Sequence, residues 1–594
     1  GRYWKTLSPE VQHYIMAHAP ELLSHPEMLL RELCGSLLTV ILAQTKLTGW
    51  PDLLMNLVAS LDSENQSLVA GSLATLVMIC EDHGRELAQT HPELVQQPLA
   101  LLIPKLLSLI ESRGEDTTNT SLKCLIHLIH WKPAPLLLEI KRFLQILFDL
   151  AEKPPSVAVL QTVCSTFNAL VFGRVSALMD YMNDVVQYMM LMTGSEHPQV
   201  ALTASNFWST IADTDICYKA LLPHLPQVVE TLLQHMKYSE EELMDMDDVD
   251  EDSSTPDRPE RALPTAGKIN TDGIGQGSYD TSIGTSELTL RKSCGQGLED
   301  LTNVFAEDLL EVVIPLCQVG LESPEWLDRE ASIMALGACS SVFLYCGTEH
   351  LSGIIPMLFA LQEDARPLIR YVSSWAISRY SQWIVDQDHM LQPTVESLSR
   401  RIRDKSKRVV ESSLSALAII SERAAEQMCY YVDDLLPIYM EIYNYLQDRA
   451  FVLLLDAIGA LCESVGEALN QPHLIDMLMP PLIARWNALD DSDQKLLPLI
   501  DCITRIAHGL GMGFSAYAEG VWERPVRLLQ NHLMLSAIVK EQPHLDEPDA
   551  RFAVCSMELL SGILDALKAG AADLVAQSNL VSILVELSSE TAPA

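Results

Sequence analysis

VVIPLCQVGL (312–321), GIIPMLFALQ (353–362), MLQPTVESLS (390–399), DLLPIYMEIY (434–443) and LMPPLIARW (478–486) are five versions of one phrase. Each sets a proline near the start of an apolar helical run. The prolines are Pro315, Pro356, Pro393, Pro437 and Pro480, and the gaps between them are 41, 37, 44 and 43 residues. A short polar turn and a second apolar segment with helical spacing follow. Four of these segments are LIRYVSSWAISRY (368–380), RVVESSLSALAII (408–420), FVLLLDAIGALCES (451–464) and KLLPLIDCITRIA (495–507). Two helices every ~40 residues form a repeat, because one helix pair cannot bury both faces and must stack on its neighbours.

That period belongs to HEAT and armadillo arrays, and it continues upstream. WPDLLMNLVASLDSENQSLVAGSLATLVMIC (50–80) and IPKLLSLIESRGEDTTNTSLKCLIHLI (103–129) have the same form, and further units fall at 137–173 and 178–213. Glycine is sparse, 27 of 594 residues, and no Asn-Gly hairpin signal occurs, so strands are not expected. The expected fold is all-α: a HEAT-repeat solenoid of about a dozen antiparallel helix pairs. It replaces the roughly four domains that length alone suggests. Asp364 precedes Arg370 in DARPLIR, and Asp404 precedes Arg408 in DKSKRV. An Asp in the turn and a basic residue in the next helix can pair along the stack. No polar capping repeat flanks Gly1 or Ala594, and LVAQSNLVSILVELSSE (574–590) reads as a first helix without a second. The array is therefore expected to be part of a longer one.

Lys and Arg total 40 against 79 Asp and Glu, a net charge of −39, with 48% apolar residues. A chain this apolar folds. Its charge disfavours nucleic acid and anionic membrane surfaces as partners and attracts basic material over distance. Thirteen cysteines are scattered without a CxxC, in apolar settings such as LVMIC at Cys80 and IGALC at Cys462. Buried free thiols in a reducing compartment are expected. GRYWKTLSPE has no apolar signal-peptide region and no run of 18 apolar residues occurs, so neither a leader nor a membrane span is expected.

One stretch interrupts the pattern and divides the chain into 1–238, 239–287 and 288–594. Its opening, EEELMDMDDVDED (240–252), has nine acids in thirteen residues: Glu240, Glu241, Glu242, Asp245, Asp247, Asp248, Asp250, Glu251 and Asp252. The Ser-, Thr-, Pro- and Gly-rich remainder cannot bury apolar area and is expected to be disordered when free. The flanking helices still make one unit, so this is an insertion inside a repeat. It is either a tolerated solvated loop or, given its acid density, a competitor for a basic ligand.

Signs of chemistry are absent. GIGQG (273–277) follows no strand and opens no long helix, unlike a phosphate loop. GLGMG (509–513) reads as a helix C-cap and turn. His127 and His130 stand at i, i+3 without a third ligand in reach. No GxSxG or HExxH occurs. Neither catalytic residues, a metal nor a cofactor are expected.

The second helices of HEAT pairs line the concave wall, the usual binding surface. Trp375 and Arg379 share a helix face at i, i+4 in SSWAISRY. Asp456 and Glu463 share another, seven residues apart. Arg379, Glu422, Glu463 and Asp501 are separated by 43, 41 and 38 residues, near one repeat, so they could form a ladder across units. An indole can stack on a proline, an arginine one turn away can bond peptide carbonyls, and the acids can hold basic side chains. Such a wall suits a basic, extended, flexible segment.

Longer stretches carry a family resemblance. LRKSCGQGLEDLTNVFAEDLL (290–310), SSWAISRYSQW (373–383), LLLDAIGALCESVG (453–466) and LIDMLMPPLIARWNALDDSDQKLLPLIDCI (474–503) closely resemble the transportins, importin-β-type nuclear import receptors. NFWSTIADTDIC (206–217) and LPHLPQVVETLLQHMKYS (222–239) follow the same order upstream. The resemblance implies a receptor for proline–tyrosine nuclear localisation signals, which have a basic or hydrophobic start, then Arg, then Pro-Tyr. It implies that Pro-Tyr docks at Glu299, Met334, Val372, Trp375 and Arg379. The basic residues would meet Glu422, Asp456, Glu463 and Asp501. It further implies Ran-GTP and FG nucleoporins as partners, release of cargo by Ran-GTP through the acidic insert, and shuttling between cytoplasm and nucleus. The chain departs from the family at Gln296, Ile419 and Ala460, and has Glu at 299 and 463 where the family has Asp. On the residues alone, a static HEAT scaffold or regulatory subunit is the alternative.

Overall fold

The computed structural model describes residues 4–89, 97–112, 114–153, 156–247, 288–387, 389–542 and 547–590. Every regular element among them is a helix. The chain forms two compact units, Gly1–Met236 with Thr289–Phe305, and Lys237–Leu288 with Ala306–Ala594. In the first, the second helices of the pairs are α1 (Met28–Gly49), α2 (Gln66–Ala88), α3 (Glu115–Ile129), α4 (Val157–Leu178), α5 (Pro198–Ala212) and α6 (Leu290–Phe305). In the second they are α7 (Trp326–Ala338), α8 (Pro367–Arg379), α9 (Lys407–Ala424), α10 (Asp448–Val465), α11 (Leu496–Leu510) and α12 (Ala550–Leu567). Within each unit every second helix packs against the next. Among the described residues six layers per unit give twelve, the expected dozen.

Within each unit, a second helix that lies between two others is walled in by them and by its own first helix. This explains their apolar character on nearly every side. In α10, Phe451 to Leu455 and Ala457 to Cys462 are all buried. In the second unit the first helices are Glu307–Leu321, Thr348–Leu361, Leu391–Arg401, Val432–Ile442, Pro472–Ala488 and Ser515–Glu541. Each packs on the second helix that follows it.

Their prolines correct the sequence reading. Pro393 does stand near a helix start, but Pro315, Pro356, Pro437 and Pro480 lie inside their helices. An interior proline removes a hydrogen bond and costs about 3 kcal/mol. Burial on both sides of it offsets that cost: in Glu307–Leu321, Leu309, Leu310 and Val313 are buried before Pro315 and Cys317 after it. The segment 574–590 is likewise two helices, Ala572–Gln577 and Leu580–Glu590, broken where Ser578 is extended.

The Asp–Arg pairing between turns is present. Arg370 makes a fork to Asp404 one layer on, with Nε–Oδ2 and Nη2–Oδ1 both 2.8 Å, and its Nη1 also donates to the Asp364 carbonyl at 2.9 Å. Arg329 reaches Asp364 at 3.4 Å. The bidentate form fixes geometry as well as charge. A backbone signature recurs too. Ala425, Gly466, Gly511 and Lys568, directly after α9 to α12, have φ of 45, 55, 52 and 50°. Glycine adopts this conformation freely and the other two with strain. GLGMG is thus a helix end and turn, as expected.

Leu225–His235 and α6 pack as one pair although the insert separates them in sequence, and Arg291 donates to the Met236 carbonyl across the gap. The insert opens with order where disorder was expected, as the helix Glu240–Asp247. Its cause is a reciprocal cap: Ser239 N–H donates to Glu242 Oε2 at 2.8 Å and Glu242 N–H to Ser239 Oγ at 3.2 Å, with three acids at the positive end of the helix. Glu240, Glu241, Glu242, Asp245 and Asp247 lie on it. Asp248, Asp250, Glu251, Asp252 and GIGQG lie outside the described residues.

By length and composition α1 is apolar enough to cross a membrane; it packs on α2, with Leu38, Ile41 and Leu42 buried. All thirteen cysteines are free thiols, ten of them buried. Burial pushes the pKa of Cys164, Cys217, Cys317 and Cys462 up to about 12.

Candidate functional site

Trp375 and Arg379 are half-buried one turn apart on α8, and both reach Gly337 on α7. A Cβ at Gly337 would fall 2.2 Å from Cζ3 of Trp375, so the bare glycine backbone is the seat of the indole. Arg379 Nε donates to Ser340 Oγ at 3.2 Å and to the Gly337 carbonyl at 3.4 Å. The ring and the guanidinium are therefore held side by side by one glycine turn.

Met334 and Val372 are each 2% exposed and packed between helices. In this state they support the wall and offer a ligand almost no surface. Glu299 lies half-buried on α6, in the first unit. Close by on the same helix, Gln296 is spent on its own turn, donating to Asp300 Oδ1 at 2.8 Å.

The acidic residues meet at a group that spacing did not single out. Arg505 of α11 donates through Nε to Glu463 at 2.8 Å, through Nη1 to Asp456 at 3.1 Å and through Nη2 to Glu422 at 2.5 Å. Carboxylates from α9 and α10 thus close on a single guanidinium from α11, whose side chain is 14% exposed. Two glycines allow it. A Cβ at Gly509 would stand 2.2 Å from the Cys462 carbonyl, so α11 crosses α10 backbone to backbone. A Cβ at Gly459 would stand 3.1 Å from Cδ of Arg505, so the arginine stem lies flat on α10.

The electrostatics follow from crowding. Burial raises the Asp456 pKa to about 6; Arg505 opposes this, and Glu422 and Asp501 add to it. Part of Asp501 reaches solvent, yet the surrounding protein atoms raise its pKa too, against the pull of Arg505. For Arg505 itself burial works against the charge, but the bond to Glu463 and the charges of Glu422 and Asp456 outweigh it and push its pKa up. His508 stands 3.6 Å from Glu463 at the edge.

The structure thus joins Glu422, Asp456 and Glu463, with Asp501 as an electrostatic neighbour. It leaves Arg379 with α7, two layers away, so the expected ladder is two separate features. Arg505 stands 42, 49 and 83 residues from its partners. Its one signal in the sequence was its place one turn after Asp501. Elsewhere, His130 stacks on Phe172 at 5.5 Å, and no His, Cys, Asp and Glu group among the described residues could hold a metal.

Comparison with known proteins gives this wall a context. No family model matches the chain. It is 33% identical to transportin-1 of Mus musculus over 581 residues, 95% of this chain and 64% of that protein. Transportin of Dictyostelium discoideum is 30% identical over 640 residues, 98% of this chain and 68% of the relative. The chain belongs to the transportin family. It spans 64% to 68% of the length of these two curated transportins. Among solved structures, one of Kap95p, whose binding is described as inducing the switch loops of RanGDP to adopt the GTP-bound conformation, matches with a TM-score of 0.65 and 16% identity. The match covers 98% of this chain and 70% of that one. At that identity the likeness concerns the fold alone, and it agrees with the stacked helix pairs seen here.

Proposed function

We propose that this transportin-family chain acts as a nuclear import receptor. It takes a basic, proline–tyrosine nuclear localisation signal on the wall formed by α7 to α11. It gives the signal up when Ran-GTP binds, and it shuttles between cytoplasm and nucleus with FG nucleoporins as further partners. The observation that carries the reading is the convergence of carboxylates from successive repeats on one guanidinium, which makes this wall a built seat for an arginine. The Trp375 and Arg379 pair supplies a second feature, an indole for a proline ring and a donor for peptide carbonyls. Family membership, and the Ran complex of the similarly folded Kap95p, support the transport role over a static scaffold.

Calorimetry with a flexible Arg- and Pro-Tyr-containing peptide tests it. Trp375→Ala combined with Arg379→Ala should weaken binding more than tenfold, about 1.4 kcal/mol or above. Unchanged affinity would take the pair out of the site.

A further inference from the structure

The cation seat is already full. Arg505 holds Glu463, Asp456 and Glu422 at 2.8, 3.1 and 2.5 Å, the positions a ligand's arginine would need. We infer that Arg505 is a tethered stand-in for that arginine: a bound segment seats its own guanidinium only by displacing residue 505, which therefore sets how strongly the chain selects basic segments. This rests on the reading that the wall binds such a segment.

Three features make displacement feasible. Two of the three partners are solvent-facing, with Glu422 50% and Glu463 44% exposed, so their bonds to Arg505 exchange readily for bonds to another cation. The arginine stem lies on Gly459, which offers no side chain to lock it. The helix that carries it is held by other means: Leu499, Ile500, Ile503 and Ile506 are buried, and Gly509 seats α11 on α10. The groups around the guanidinium are Glu422, Asp456, Glu463 and Asp501, with Glu558 and His508 beyond. One cation does not neutralise them, so the seat still draws positive charge while it is occupied.

The test compares the full chain with its Arg505→Gln variant in calorimetry, using an arginine-containing peptide and a twin in which norleucine replaces the arginine. The variant should bind the arginine peptide at least fivefold tighter and the twin unchanged. No gain, or an equal gain for both peptides, overturns the inference. If neither protein binds either peptide, the receptor reading itself falls. If only the variant binds, and only the arginine peptide, the inference stands in its strongest form. Should the variant fail to fold, phenylglyoxal labelling of the unaltered chain decides. Arg505 should be slow to react alone and faster with the arginine peptide bound, but not with the twin. Labelling that the arginine peptide leaves unchanged overturns it.

Discussion

Asp456 sits between burial and a counter-ion, and burial wins. Its pKa moves from the ordinary 3.8 to about 6. The folded state therefore holds the proton more tightly than the unfolded chain. The stabilising contribution of Asp456 is complete below pH 3.8 and is lost as pH rises through 6. Asp456→Asn, which imitates the neutral acid, should stabilise the protein at pH 8 by about 3 kcal/mol, with a smaller gain at pH 5. Thermal melts at the two pH values check this, and an equal gain at both would mean that Asp456 titrates normally. Arg505 shows why residue chemistry here was only half legible. Periodicity relates positions one repeat apart, but a long side chain reaches across two layers, to a partner 83 residues away. That reach depends on Gly459 and Gly509, whose close approaches no spacing rule reveals.

Helices were the most legible scale. Apolar spacing placed the second helices well, because burial from three sides leaves few polar positions to confuse the period. The Arg370–Asp404 pairing was legible for a similar reason: a short turn fixes which residues face the next layer. Prolines misled, since local backbone preference marks a helix start while tertiary burial carries the helix through. The opening of the insert misled in the other direction. Its composition points to disorder, but the Ser239–Glu242 cap and the helix dipole organise Glu240–Asp247. The close crossing of α7 and α8 gives a test at this scale. Gly337→Ala keeps α7 helical, alanine being the better helix former, but its methyl would stand 2.2 Å from the indole. Peptide affinity should fall severalfold and tryptophan emission should shift. Both effects should vanish in a Trp375→Phe background. Unchanged emission in Gly337→Ala would mean that the indole does not rest there.

At the scale of the whole chain, period and composition conveyed a long helical array with an acidic interruption. That Thr289–Phe305 belongs with the first unit depends on its packing against α5 and against Leu225–His235, which period and composition do not encode. The insert leaves one helix and returns to its packing partner, with Arg291 bonded to Met236 across the junction. Replacing residues 240–287 by a short linker should therefore leave the fold and peptide affinity intact. Under the proposed function it should also stop Ran-GTP from displacing bound peptide. A displacement assay in which release is unchanged would remove the insert from the mechanism. The charge of −39 acts over the same distances, favouring encounter with basic segments most at low ionic strength.

Seven of the twelve second helices carry a buried thiol: Cys34, Cys80, Cys124, Cys164, Cys294, Cys462 and Cys502. A maleimide dye cannot touch such a sulfur until the layer that shields it parts. Brief exposure to the dye, followed by peptide mapping, would turn the native chain into its own record of where along its length the stack breathes, without adding a single foreign residue.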